Sequence, residues 1–292
     1  MVCYAPLTAY YSKAVNPTGR RSLVFDVRKS HDGFPIKVPC GQCIGCRLAR
    51  ARSWAVRCMH EVRCFDVSSF VTLTYADCSL PTAGTLVKRD LQLFMKRLRK
   101  VRPVGLRFFA CGEYGERTFR PHYHLLLFNT DFADKRFYKT SSTGFDLFKS
   151  DELRGLWPAG DNIIGGVTFE SAAYVARYCL KKITGPEAEA HYAGREREFT
   201  VMSRRPGIGL SFFEKHGPEM YRHDSAIMSG REVALPRYYD TKFEAVDSVE
   251  YDRVKVDRRL RSQDHMEDQT LRRLRVREEF EERKSKLFVR ET

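Results

Sequence analysis

The sequence predicts an α+β domain built on an antiparallel sheet. Two observations carry that expectation. Short runs rich in β-branched and aromatic residues, "SSFVTLTY" (68–75), "LRFFACGEYG" (106–115) and "PHYHLLLF" (121–128), read as strands, the last two close enough to form a hairpin. Helical patterns precede, separate and follow them. The order strand, helix, strand, strand, helix then predicts helices on one face of the sheet and leaves the other face free.

The elements can be taken in order. Residues 1–39 read as irregular, with turn signals at "NPTGRRS" and "SHDGFP" and one strand at "SLVFDV". The block "PCGQCIGC" then opens a helical pattern with Leu48, Ala51, Ala55, Cys58, Met59 and Val62 on one face. "KRDLQLFMKRLRKV" (88–101) is an amphipathic helix with Leu91, Phe94, Met95 and Leu98 inward. Residues 129–160 read as loops with a short helix near "DELRGLW", and "GGVTFE" (165–170) as a short strand or turn before the helix "SAAYVARYCLKKI". After Gly185 and Pro186 the pattern weakens. From about residue 245 mixed charges with few aromatics predict a solvated helix or helix pair, partly disordered when alone. These shifts predict a Cys-rich, basic N-terminal segment (1–66), a core (67–185) and a charged helical C-terminal extension (186–292).

Composition narrows the function. The 292 residues are 42% hydrophobic, enough for a core, and no apolar run reaches the 18 residues of a membrane span. With no secretory start either, the chain reads as soluble and intracellular. A net charge of +14 asks for an acidic partner, nucleic acid first and anionic membrane second. The excess sits in the first 120 residues, in runs such as "CRLARARSWAVR". Nine cysteines, an odd number, favour reduced thiols or a metal site over a disulfide framework.

Three clusters carry chemistry. A strand alternates its faces, so His122 and His124 point one way and Tyr123, Leu125 and Leu127 the other. Two imidazoles on one strand make half a metal site; the plain alternative is a pair of hydrogen-bonded histidines. Glu113 ends the neighbouring strand, and a hairpin would bring its carboxylate to the pair. Glu116 is its competitor, and a solvated turn acid is the alternative. Two histidines and a carboxylate leave open positions on Mg²⁺ or Mn²⁺.

On the helix, Tyr174 and Tyr178 are offset by about 40° with Lys181 between them. The small apolar residues Ala172, Ala173, Ala176, Cys179, Leu180 and Ile183 occupy the opposite face. Tyrosine, with a pKa of about 10, needs a cation nearby to act as a nucleophile. Together these parts would suit transesterification of a phosphodiester. Ordinary aromatic packing is the alternative for the tyrosines.

Separately, Cys40, Cys43 and Cys46 resemble half a zinc knuckle. Cys3, Cys58 and Cys64 are candidates for a fourth ligand. Cys3 is preferred because Cys58 belongs to the apolar side of its helix. Structural Zn²⁺, reduced thiols and an iron–sulfur cluster all remain open readings.

"FVTLTY", "RPHYHLLLF" and "YVARYCLKK" resemble the three ordered motifs of the HUH (His-hydrophobe-His) rolling-circle replication initiators. Tyr123 is a bulky middle residue for that motif. The block "PCGQCIGCRLARARSWAVR" is similar to the initiators of gokushovirus-type microviruses. The resemblance covers roughly residues 1–185. It implies a ferredoxin- or RRM-like sheet with the site on its open face. It makes His122, His124 and, less securely, Glu113 the ligands of a catalytic Mg²⁺ or Mn²⁺. Tyr174 and Tyr178 become nucleophiles, and Lys181, with Lys182 as alternative, the assisting lysine. It implies nicking of a single-stranded DNA origin through a 5′-phosphotyrosine bond, and rejoining, in the host bacterial cytoplasm. Host helicase and polymerase are the implied partners, with no membrane; no "GxxxxGK[ST]" loop occurs in the chain. A relaxase or transposase would use the same chemistry, usually with one tyrosine. A non-catalytic RRM-like single-strand-binding module would leave the histidine pair and the phenol–phenol–lysine face unexplained.

Overall fold

The computed structural model describes residues 3–17, 19–102, 104–115, 117–181 and 187–287. The side chains of 177–181, 187, 286 and 287 lie outside that description. Backbone contacts divide the chain into two units, residues 1–50 with 257–292 and residues 51–256, rather than at the boundaries that composition predicts.

The first unit holds three strands, β1 (Leu7–Val15), β2 (Arg21–Val24) and β3 (Ile36–Val38), where an irregular segment with one strand was expected. β1 is central and antiparallel to both neighbours, with Tyr11 opposite Leu23 and Thr8 opposite Lys37. Lysines and arginines interrupt the alternation of these strands, which hides them from a pattern search.

Helix α1 (Ile44–Val62) runs through the boundary into the second unit. There β4 (Ser68–Thr74), α2 (Lys88–Val101), β5 (Arg107–Tyr114) and β6 (Pro121–Phe128) fall where expected. They are followed by β7 (Arg136–Thr140), β8 (Asp146–Lys149), α3 (Asp151–Leu156), β9 (Asn162–Gly165), α4 (Phe169–Lys181), α5 (Glu187–Tyr192) and β10 (Phe199–Met202). The seven strands form one antiparallel sheet in the order β10-β5-β6-β4-β9-β8-β7.

Helices cover both faces of this sheet, not one as the element order predicts. The reason lies in β6. Tyr123, Leu125 and Leu127 on one face and Leu126 and Phe128 on the other are all fully buried, so each face needs an apolar cover. On the first face lie Leu91, Phe94, Met95 and Leu98 of α2, with Leu153 and Trp157 at α3. Each of these α2 side chains contributes roughly 1.5–3 kcal/mol by leaving water. On the second face Ala51, Ala55 and Cys58 of α1 and Ala172, Val175 and Ala176 of α4 pack on Phe109, Cys111, Leu126 and Phe128. Their small side chains allow the helices to sit close to the sheet.

Tyr123 fits the strand because it has a partner for its hydroxyl. That hydroxyl donates to the Val87 carbonyl (2.9 Å) and accepts from the Val87 amide (3.1 Å), tying down the entry to α2. Burial pushes its pKa up to about 12.

Three further differences from expectation have local causes. β7 and β8 replace a predicted loop; every β7 residue is exposed, so no apolar alternation marks the strand. β9 begins earlier than "GGVTFE", which instead supplies a turn and the start of α4. β10 lies past residue 185 yet pairs with β5, Phe199 opposite Gly112. A side chain at Gly112 would begin 2.9 Å from the Phe199 ring, so the edge strand requires glycine there.

The rest of the second unit is α6 (Leu210–His223), β11 (Ala226–Met228), β12 (Arg231–Val233), α7 (Arg237–Val246) and the first part of α8 (Ser248–Gln263). It has an apolar cluster of its own, including Phe213, Tyr221, Tyr239, Phe243 and Tyr251, joined by Val56 of α1. The charged helix α9 (Leu271–Leu287) belongs to the first unit and buries Leu274. Among the described residues no helix is long and apolar enough to cross a membrane.

Candidate metal and nucleophile site

The β5–β6 register creates the site. Glu113 stands directly opposite His122, and Cys111 opposite His124. Glu113, His122 and His124 therefore share a face, at the end of the sheet surface that α1 and α4 cover. Glu113 Oε1 lies 2.7 Å from His122 Nε2 and 2.8 Å from His124 Nε2. Glu113 and His124 are buried and His122 is partly exposed, so the cluster meets solvent on the His122 side. Burial alone would raise the Glu113 carboxyl, but the His122 and His124 hydrogen bonds outweigh it and hold it below its ordinary value.

The far sides of both rings are also held. His122 Nδ1 is 3.1 Å from the Arg120 carbonyl, and His124 Nδ1 is 2.9 Å from Thr72 Oγ1 on β4. A carbonyl can only accept, so His122 Nδ1 carries the proton. In the neutral ring Nε2 then turns a lone pair toward the carboxylate, the tautomer a metal ligand requires. Phe70 stacks on His124 at 5.6 Å and fixes that ring's plane.

The donor set fits a divalent cation. One atom from each of the three residues lies within 4.8 Å of the others. Glu113 Oε2 is buried with no hydrogen-bond partner among the described residues, a cost that a bound cation would relieve. Two imidazoles and one carboxylate also leave coordination positions open for substrate.

Helix α4 delivers the phenol. The Thr168 and Ser171 side chains cap its start reciprocally, each accepting from the other's amide (3.1 and 2.8 Å). With Ala172, Val175 and Ala176 against the sheet, half-buried Tyr174 reaches the histidine end. Its hydroxyl donates to Glu113 Oε1 at 3.3 Å, and its ring meets His124 edge-on at 5.0 Å. The Tyr178 and Lys181 side chains, all of Lys182, and the competitor Glu116 lie outside the described residues. The α4 backbone continues through Lys181, so Tyr178 follows Tyr174 by one turn, about 6 Å along the axis.

Thr72, Phe70 and the Arg120 carbonyl are contributors that sequence reasoning missed. The first two lie in "FVTLTY", but only the β4–β6 register, Thr72 opposite His124, reveals their role.

A second cluster stands in the first unit. Cys3, Cys40, Cys43 and Cys46 bring their sulfurs within 4.8 Å of one another. The Cys40–Cys46 and Cys3–Cys43 sulfur pairs are both 4.0 Å apart. Four sulfurs at 2.3 Å from a tetrahedral zinc would be about 3.8 Å apart. Amides point at the sulfurs: Tyr4 and Cys46 at Cys43, Gln42 and Cys43 at Cys40, and Cys40 at Cys3. Burial alone would raise the Cys43 thiol, but the Cys46 and Tyr4 amides and neighbouring thiols bring it down to about 7. Burial raises Cys46 and Cys3. Of the other candidates, Cys58 is buried against the large sheet and Cys64 donates to the His60 carbonyl.

Fold and site together define a mixed α/β protein with a large antiparallel sheet, a His–His–Glu cluster fit for a divalent ion, and a four-cysteine cluster. The family model for the replication-associated protein ORF2 matches residues 68–183, which span the three sequence motifs. The replication-associated protein VP4 of Bdellovibrio phage phiMH2K is 33% identical over 252 residues, 82% of this chain and 76% of that protein. The replication-associated protein ORF2 of Spiroplasma virus 4 is 32% identical over 220 residues, covering 71% and 68%. The replication-associated protein ORF4 of Chlamydia phage 1 is 26% identical over 216 residues, covering 70% and 53%. No solved structure matches the chain. The chain belongs to the family of phage replication-associated proteins, as its motif order led one to expect.

Proposed function

We propose that this protein is a replication initiator of HUH type that nicks single-stranded origin DNA and rejoins the ends in rolling-circle replication. One observation carries the reading. The Tyr174 hydroxyl donates to the same Glu113 oxygen on which His122 and His124 converge, so phenol and candidate metal site form one cluster.

In the proposed reaction a tyrosine phenolate attacks the scissile phosphorus. The bond from phosphorus to the 3′-oxygen breaks, the 3′-oxygen leaves and takes up a proton, and a 5′-phosphotyrosine bond remains. Attack by a 3′-hydroxyl on that bond reverses the step and rejoins the strand. Glu113, His122 and His124 would hold Mg²⁺ or Mn²⁺, whose charge polarises a phosphate oxygen. Glu113 accepts the Tyr174 proton's hydrogen bond and so positions the phenol before attack. Tyr178 is proposed as the second nucleophile, with Lys181, or Lys182 in its place, stabilising a phenolate. Cys3, Cys40, Cys43 and Cys46 are proposed to hold a structural Zn²⁺ that supports folding rather than chemistry. The activity belongs in the host bacterial cytoplasm, beside a host helicase and polymerase.

The test is incubation with a single-stranded origin oligonucleotide and Mn²⁺. A covalent protein–DNA adduct at Tyr174 or Tyr178, mapped by mass spectrometry, is expected. Strand cleavage without an adduct, or no cleavage at all, refutes it.

A further inference from the structure

The proposed chemistry does not use the sheet of the first unit, which presents an apolar, aromatic face to solvent. Leu7, Ala9 and Tyr11 alternate onto one face of β1, and Leu23 sits directly across from Tyr11. Phe25 follows two residues after Leu23. Tyr11 and Leu23 are each 46% exposed and Phe25 64%. Leu7 and Val15 are also exposed. Apolar side chains gathered this way at a surface lose free energy unless something covers them.

The charge around them selects the occupant. Residues 1–50 carry eight lysines and arginines against two acids. One of those acids, Asp26, is already paired with Arg28 at 3.1 Å. Arg21, at the start of β2, spends its guanidinium on the carbonyls of Ser12 and Lys13, which sets a positive group at the end of the aromatic face. Lys13 and Lys29 stand exposed on the same small sheet and its margin. A second copy of this surface would bring like charges together. A single nucleic-acid strand supplies the complement of both features, phosphates for the cations and base faces for the rings.

We infer that the face formed by Tyr11, Leu23 and Phe25 is a sequence-independent docking surface for single-stranded DNA, separate from the cleavage site. The inference rests on the single-strand reading of function above and adds a second place where the strand is held. Stacking on two rings and contact with Leu23 tolerate any base, while the cations track the backbone. The four-cysteine cluster lies in the same unit, between β3 and α1, and holds Cys3 beside the start of β1.

The test uses the full chain as purified and a fluorescent single strand of about 25 nucleotides without an origin sequence, a length of several stacking sites. Anisotropy is read without added divalent ion. The triple variant Tyr11→Ser, Leu23→Ser, Phe25→Ser is expected to weaken binding about tenfold or more, from the loss of base stacking. Tyr11→Phe, which keeps the ring, is expected to bind as wild type does. Photocrosslinking of wild type to a strand carrying 5-iododeoxyuridine is expected to label peptides containing Tyr11 or Phe25; this arm decides even if the triple variant does not fold. Unchanged affinity in a folded triple variant, or crosslinks confined to other segments, overturns the inference. So does a wild-type dimer that the variant loses with DNA affinity intact, which would make the face an interface between copies. A short origin oligonucleotide confined to the cleavage site should be nicked equally by wild type and variant. If wild type does not nick at all, the proposed activity fails, while anisotropy and crosslinking still decide this surface.

Discussion

Glu113 and His122 stand directly opposite each other on neighbouring antiparallel strands, with Oε1 2.7 Å from Nε2. The pairing register alone accounts for this meeting. Side chains alternate with period two, so a one-residue slip would send Glu113 through the sheet to the α2 side and leave the histidines without it. The register is held by the buried residues further along the pair, Phe109 opposite Leu126 and Ala110 opposite Leu125. The candidate site is therefore a consequence of core packing.

Loss of a ligand should separate chemistry from DNA binding. His122→Ala or His124→Ala is expected to abolish nicking with Mg²⁺ or Mn²⁺ while leaving DNA affinity nearly intact, because basic residues elsewhere supply most of it. Wild type should also melt at a higher temperature with Mn²⁺, by about 2.7 kcal/mol of added stability at a hundredfold excess over Kd. Glu113→Gln should lose most of that rise. A double histidine variant that nicks at the wild-type rate would show that the ion, if one is used, binds elsewhere.

Much of this site was legible in the sequence because it depends on local periodicity. The His-x-His alternation put both rings on one face, and the nine-residue spacing to Glu113 suits a tight hairpin. The helix at 88–101 was equally plain, since its apolar residues repeat at helical spacing. What stayed hidden depends on long-range pairing. Thr72 reaches His124 only through a register spanning 52 residues. The cover on both sheet faces follows from β6 being apolar on each side, a pattern that a short continuous apolar run leaves ambiguous. β7 and the strands of the first unit escaped because solvent-facing, basic residues dilute their alternation. Cys3 could be suspected as a partner of Cys40, Cys43 and Cys46, but sequence spacing cannot bring together residues 37 apart.

The cysteine cluster should answer to chelation. Purified protein is expected to contain close to one zinc per chain, and a strong chelator should lower its melting temperature. Cys43→Ser should do the same and lose the metal, since Cys43 has the most readily ionised thiol of the shifted cluster members. Absence of both zinc and iron, with a melting temperature indifferent to chelation, would leave reduced structural thiols as the account.

Acid should destabilise the second unit through His60. Its ring stacks on Phe212 at 4.0 Å, and Nδ1 lies 3.0 Å from the Tyr239 hydroxyl. Burial, then the nearby charges of Arg63 and His216, push its pKa down to about 3. The unfolded chain takes up the proton near pH 6.5, where the folded ring stays neutral. Stability from this group is thus full above about pH 6.5 and falls as pH drops toward 3. Melting temperature followed between pH 7 and pH 4 should decline, and His60→Gln should flatten part of that slope. An identical slope in a folded His60→Gln would assign the acid sensitivity to other groups.

The two tyrosines should prove separable. Tyr174 already touches the His–Glu cluster, and Tyr178 follows one helical turn later, about 6 Å along the axis. A small shift of helix or strand would let either phenol meet the same phosphate. Tyr174→Phe and Tyr178→Phe are each expected to retain some single-event nicking of an oligonucleotide, with Tyr174→Phe the more impaired because its hydroxyl is the one seen on Glu113. The double variant should form no covalent adduct. Complete rolling-circle turnover should fail in either single variant, since the second cut needs a free phenol while the first remains esterified. Circular product from the double variant, or an adduct mapped to a tyrosine outside this helix such as Tyr192, would defeat the assignment. Tyr192 is the sharper control because it is buried and its hydroxyl donates to Glu198, so it lacks any open path to a phosphate.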